Sequence, residues 1–139
     1  MEAIYTASAT ATGDGRNGHV RSTDGVLDFD LAVPKEMGGP GGAHTNPEQL
    51  FAAGYAACFH SALKAAARLA KVTLTDTAVT LDVGVGRNDQ GGYGLRATIE
   101  AEINGVDEAT ARQLLDTAHQ LCPYSNATRG NIEVQLSLA

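Results

Sequence analysis

Residues 46–71 constrain this chain more than any other stretch. Asn46 supplies a helix N-cap, Pro47 suits the first helical position, and Gln49 completes a capping box. From there to about Lys71 the helix is apolar nearly all round. Its polar exceptions, His60, Lys64 and Arg68, fall at i, i+4 and i+8 and define one wet stripe. A helix this apolar has to be buried on most of its sides. The chain has 139 residues, a length that suits a single domain over 1–139 with a real core. In so small a domain, part of the helix's burial is expected to come from a second chain. Only 5% of the residues are aromatic, so Ala and Gly let neighbouring elements approach closely.

The flanking sequence reads mainly as β-structure. Residues 2–12 are β-prone through Ile4, Tyr5 and the threonines, and residues 13–18 form a Gly-dense turn with Arg16 at its tip. His19 to Ser22 gives a second strand, Asp24-Gly25 signals a tight hairpin, and Leu27, Phe29, Leu31 and Val33 alternate as a half-buried third strand. Residues 34–45 are a Gly/Pro loop without the spacing of a nucleotide-binding loop. Beyond the helix, Val79 to Val85 and Leu95 to Ile103 alternate on either side of an Asn/Gly turn, which makes a β-hairpin. Asp107 caps a second helix with a core face of Ala111, Leu114, Leu115, Ala118, Leu121 and Cys122, and Pro123 ends it. Ile132, Val134, Leu136 and Leu138 give a last strand. The order βββ-α-ββ-α-β predicts an α+β fold: antiparallel sheets, a long central helix and a second helix.

Charge and hydropathy narrow the function. A net charge of −6, with the basic residues scattered apart from Lys64, Arg68 and Lys71, leaves no surplus to neutralise a phosphate backbone, so no nucleic-acid partner is expected. The longest near-apolar run, residues 50–59, is too short to span a bilayer, and residues 1–13 do not resemble a targeting signal. The expected setting is the cytoplasm, without membrane attachment. There, two cysteines point away from a permanent structural disulfide.

Three readings of Cys58 and Cys122 compete. Both fit as small core residues. A metal site would combine Cys58-x-His60 with His119-x-x-Cys122, but on a helix Cys58 and His60 point about 200° apart. A redox pair needs one thiolate that attacks and a second thiol that resolves. Cys58 lies too far along its helix to be activated by that helix's N-terminus, so it needs a local cation. Bringing a thiol from about 8.5 into the 5–6 range takes roughly 4 kcal/mol. One Arg at ~4 Å supplies about that at an effective dielectric near 20. Arg16 is the candidate, with Glu48 as its bidentate clamp. Ten helical residues, about 15 Å, separate Glu48 from Cys58. A catalytic Glu48 therefore predicts a homodimer in which each site draws on both chains.

The stretches Asn-Pro-Glu-Gln-Leu-Phe-Ala-Ala-Gly-Tyr-Ala-Ala-Cys58-Phe and Leu-Cys122-Pro-Tyr-Ser-Asn-Ala-Thr-Arg-Gly-Asn131 resemble the two signatures of the organic hydroperoxide resistance proteins, a branch of the OsmC superfamily. The Gly-Arg16-Asn-Gly turn and the Gly-Gly-Pro-Gly-Gly loop match as well. The resemblance implies an intertwined α+β homodimer with active sites at the interface. It implies a thiol peroxidase without haem, metal or flavin: Cys58 peroxidatic, Cys122 resolving through a disulfide, Arg16 and Glu48 activating the thiolate. The implied reductant is a lipoyl dithiol on a partner protein. Leu50, Phe51, Tyr55 and Phe59, the large residues near Cys58, are expected to line an apolar pocket for lipid or aryl hydroperoxides. The alternative from another class is a non-catalytic protein of the same fold that binds an apolar ligand or a metal.

Overall fold

The computed structural model describes all 139 residues, which gather into two compact units, Met1–Leu50 and Phe51–Ala139. The first unit holds an antiparallel meander of β1 (Ala9–Thr12), β2 (His19–Ser22) and β3 (Asp28–Asp30), with Thr12 opposite His19 and Val20 opposite Phe29. These strands are shorter than the β-prone sequence. Residues 2–8 carry no strand, and the third strand stops at Asp30, where Leu31 makes an isolated parallel bridge to Thr45. Of the alternating residues Leu27, Phe29 and Leu31, only Leu31 is buried. The expected tight hairpin is a wider turn. Ser22 N donates to Leu27 O, and the Asp24 carboxylate accepts from Val26 N and Ser22 Oγ inside it. In the Gly/Pro loop, a Cβ on Gly39 would stand 2.2 Å from the Val33 carbonyl oxygen, so that close turn requires glycine.

The central helix α1 runs unbroken over Pro47–Ala70. Asn46 Oδ1 accepts from Gln49 N at 2.8 Å, as an N-cap should. The Gln49 side chain instead accepts from Thr45 Oγ1, so only half of the capping box forms. At its C-terminus Lys71 adopts φ +56, with Lys71 N bonded to Arg68 O and Val72 N to Ala67 O, a Schellman closure without glycine. Tyr55, Phe59, Ala62, Leu63, Ala66 and Ala67 form the buried face at helical spacing. The expected wet stripe is displaced. His60 and Lys64 are half-buried, while Ala53, Ala57 and Ser61 lie exposed at i, i+4 and i+8. No helix is long and apolar enough to cross a membrane.

In the second unit β4 (Thr77–Arg87) and β5 (Tyr93–Ile103) pair antiparallel along their whole length. The last strand, β6 (Val134–Leu138), runs parallel to β5, with Ala97 opposite Val134 and Ala101 opposite Leu138, so this sheet is mixed and not antiparallel throughout. The chain reaches β6 through two helices, the long crossover that a parallel neighbour requires. Helix α2 (Glu108–Leu121) is capped by Asp107, which accepts from Thr110 N at 2.7 Å. A short helix that the sequence reading lacks, α3 (Pro123–Thr128), follows at once. Pro123 ends α2 by forcing Cys122 into an extended conformation (φ −67, ψ 123) and then serves as the first residue of α3. Cys122 therefore sits in the joint between two helices. Leu121, expected on the core face, is substantially exposed.

Candidate active site

The two cysteines come together although 63 residues of chain lie between them in sequence. Cys58 is half-buried on α1, Cys122 is completely buried, and both are free thiols. Burial pushes the Cys58 thiol up from its ordinary value, and the charge and hydrogen bond of Cys122 push it the same way. The backbone N–H of Tyr124 opposes them by donating toward Cys58. That N–H belongs to the first turn of α3, where backbone donors lack helical partners. Two sulfurs that influence each other, one buried and one partly open, can exchange between dithiol and disulfide once they meet.

The second expected pair also forms. Arg16 sits in the 3₁₀ turn Gly15–Asn17 and donates two parallel hydrogen bonds to Glu48, Nη1 to Oε2 at 2.8 Å and Nη2 to Oε1 at 2.7 Å. Glu48 holds Arg16 above its usual range, and Arg16 holds the Glu48 carboxyl below the usual carboxylate range. The Arg16 side chain is 40% exposed, so the pair contributes little to stability. Its geometric effect is larger, because two fork-like bonds fix the orientation of the guanidinium. Along the unbroken α1, Glu48 stands ten residues from Cys58, about 15 Å.

The large residues expected to line a pocket do not do so together. Tyr55 and Phe59 are completely buried and belong to the core of the second unit. Phe51 is partly buried, edge-on to Tyr55 at 6.0 Å and to Tyr124 at 5.9 Å, and Leu50 is half-buried. The apolar groove that opens at Cys58 has a volume of about 590 Å³ and is walled instead by Ala62, Ala65, Leu69, Leu121 and Pro123. Helical azimuth explains the exchange. Ala62, Ala65 and Leu69 share the Cys58 side of α1, whereas Phe59 points about 100° away.

Behind Cys122 lies a polar cluster that the sequence reading misses. Ser125, completely buried, bonds Tyr55 Oη at 2.9 Å and His119 Nδ1 at 2.8 Å, and Tyr55 Oη also reaches Thr128 Oγ1 at 3.2 Å. The cluster ties α3 to α1 and α2 and so fixes the joint that carries Cys122. Burial pushes His119 below its ordinary value, which keeps the ring neutral near pH 7. Ser125→Ala is expected to lower stability by about 1–3 kcal/mol, because His119 Nδ1 and part of the Tyr55 hydroxyl lose a buried partner. The midpoint of urea unfolding measures this, and an unchanged midpoint would show the cluster to be idle. Gly54 offers the one signal that sequence could have given. A mid-helix glycine costs about 1 kcal/mol, and here a Cβ would stand 2.7 Å from Tyr124 Oη. His60 bonds Thr77 Oγ1 at 2.7 Å, and no group of three or more His, Cys, Asp or Glu side chains is placed to hold a metal ion.

The family model described as "OsmC-like protein" matches residues 39–137. The organic hydroperoxide resistance protein of Xanthomonas axonopodis pv. citri is 53% identical over 137 residues, which cover 98% of this chain and 95% of the relative. The chain belongs to the organic hydroperoxide resistance branch of the OsmC-like family. Organic hydroperoxide resistance protein OhrB of Bacillus subtilis is 45% identical and covers 98% of both chains. Among solved structures, that of an organic hydroperoxide resistance protein from Elizabethkingia anophelis superposes with a TM-score of 0.95 at 52% identity, over 100% of this chain and 99% of its own. The OsmC-like fold is thus established over the full length. Cys58 and Cys122 lie in the two stretches that carried the family resemblance.

Proposed function

We propose that this protein is a cysteine-based peroxidase that reduces organic hydroperoxides to alcohols and supports resistance to them. The observation that carries the reading is the placing of the partly open Cys58, at one end of an apolar groove, against the core cluster that holds the buried Cys122. The Cys58 thiolate attacks the outer oxygen of ROOH and the O–O bond breaks. The alkoxide takes a proton and leaves as alcohol, while Cys58 becomes a sulfenic acid. Cys122 then attacks that sulfur and forms the disulfide with loss of water. An external dithiol, a lipoyl group on a partner protein, reduces the disulfide by two exchange steps and leaves as its own disulfide. A reducing cytoplasm suits such a transient bond.

The thiolate needs help, because in the isolated chain burial holds Cys58 protonated. The Arg16–Glu48 pair is the assigned activator, contributed by the other chain of a homodimer. Three features support that assembly. Glu48 lies about 15 Å from Cys58 along its own helix. The face of α1 that shows Ala53, Ala57 and Ser61 is open. Ile4, Tyr5, Leu27 and Phe29 of the first unit are exposed, an apolar surface that a single chain leaves uncovered. Counting free thiols before and after one equivalent of cumene hydroperoxide tests the reading. Loss of both thiols is expected. Retention of both would leave a protein that binds an apolar ligand without redox chemistry.

A further inference from the structure

We propose that His19 is a positioning residue for the reaction: with its ring protonated it staples Asp28 and Asp30 of β3 to the foot of the Arg16 turn, and so holds Arg16 on Glu48. This rests on the peroxidase reading and deepens it, because it makes the activating pair responsive to pH. His19 Nδ1 meets Asp30 Oδ1 at 2.7 Å, and Nε2 meets Asp28 Oδ1 at 2.5 Å. An ionised carboxylate only accepts hydrogen bonds, and a neutral imidazole has a single N–H to give. Both contacts are satisfied together only by the imidazolium, which carries a proton on each nitrogen. The register puts His19 opposite Asp30 and Arg21 opposite Asp28, so all four side chains share one face of the meander. Val20 and Phe29 point to the other face, where the uncovered apolar surface lies.

The staple sits where the two halves of the Arg16–Glu48 pair are joined. His19 opens β2, and Arg16 lies in the turn just before it. Beyond Asp30, Leu31 N donates to Gly18 O and Val33 N to Asn17 Oδ1, which fastens the end of β3 to that turn. The same segment is tied to the start of α1, because Leu31 bridges Thr45 and Ala32 N donates to Thr45 O, just before the Asn46 cap and Glu48. Residues 30–33 thus strap the arginine to its acceptor, and His19 fixes the start of the strap. His44, the residue before Thr45, adds to the stronger pull of His19 on Asp30, and together they hold that carboxyl below the usual carboxylate range. Arg21 is the other charge facing the group, 3.7 Å from Asp28, and β1 brings Thr12 opposite His19. Asp30 first, then Asp28, raise His19 above its ordinary value. The imidazolium and its two bonds are complete at low pH and are lost as pH climbs through the raised value. An exposed cross-strand ion pair acting alone gives a small stability effect and no effect on rate.

The test follows the rate of Cys58 oxidation by cumene hydroperoxide across pH, beside the imidazole NMR titration of His19 in the unaltered protein. Rising pH gives Cys58 more thiolate, so the thiol's own titration only raises the rate. Loss of the staple opposes it, and the rate is expected to pass a maximum and fall where His19 titrates. His19→Gln, whose neutral amide cannot replace the charge, should be slower by roughly 10-fold at neutral pH and show no such fall. Asp30→Asn should behave in the same way. His19→Arg offers a permanent charge and a fork of donors. It should restore the neutral rate and keep it at alkaline pH. A role confined to strand stability would lower the unfolding midpoint of these variants without moving the pH dependence of the rate. Circular dichroism checks their folding, and the coincidence of the two titrations in the unaltered protein decides the matter without them. An ordinary His19 titration, or a rate that holds its plateau through it, would overturn the assignment and leave the peroxidase standing. No oxidation of Cys58 in the unaltered protein at any pH would overturn the peroxidase reading, and this inference with it.

Discussion

Cys58→Ser is expected to abolish dithiol-driven turnover of cumene hydroperoxide, a loss of at least ~10³-fold, whereas Cys122→Ser should react once and stop. The two differ because the cysteines occupy different environments. Cys58 is partly open at the head of the groove, where a peroxide would reach it, while Cys122 is completely buried in the joint between α2 and α3, where a peroxide would not. A serine hydroxyl at 58 has no accessible anion near neutral pH and cannot accept the outer peroxide oxygen. With serine at 122, the first oxidation still proceeds and the sulfenic acid has no partner thiol. It then climbs to sulfinic acid with excess peroxide, visible as a second added oxygen in the intact mass. In the unaltered protein the mass should show loss of two hydrogens instead. Sustained turnover of Cys122→Ser with the same dithiol would remove the resolving role and point to direct reduction of the sulfenic acid. Circular dichroism of both variants checks folding, which matters most for the buried position.

How much of this was legible in the sequence follows from what each pattern encodes. The capped helix and the long hairpin were readable because periods of 3.6 and 2 are local and survive in any surroundings. Strand direction is not local. Alternation in residues 132–138 marks a strand but carries no sign of whether it runs with or against β5. Leu27 and Phe29 alternate as buried residues do, yet they are exposed in the single chain. Their pattern matches an environment that one chain does not supply. Pro123 reads equally as a helix stop and as a helix start, and here it is both. The Arg16–Glu48 clamp was reachable by chemistry alone, since an arginine isolated among glycines needs a fixed acceptor. The groove was not, because choosing large residues near Cys58 ignores azimuth, and small residues at i+4 and i+7 form its wall. Ser125 gave no warning either. A serine in a polar segment shows nothing of the tyrosine and histidine that meet it from two other helices.

Mixed dimers should carry the second large effect. Arg16→Ala alone is expected to lower turnover by ~10² or more, because without a cation beside it the Cys58 thiol returns to the raised value that burial imposes. Cys58→Ser alone should be inactive. If each site joins Cys58 of one chain to Arg16 and Glu48 of the other, a dimer of one variant with the other holds one intact site and one doubly damaged site. Random assembly of equal amounts makes half of the dimers mixed. Activity should then recover to about one quarter of the unaltered level, from two preparations that are each nearly inactive. Co-expression with two tags and sequential capture isolates the mixed dimer, in which recovery should approach one half. Should Arg16 instead serve the cysteine of its own chain, every mixed dimer would contain two damaged sites and no recovery would occur. Glu48→Gln paired with Cys58→Ser should behave in the same way but less sharply. Glutamine keeps one acceptor oxygen for Arg16 and gives up the second, so the guanidinium is held by one bond where it now has two.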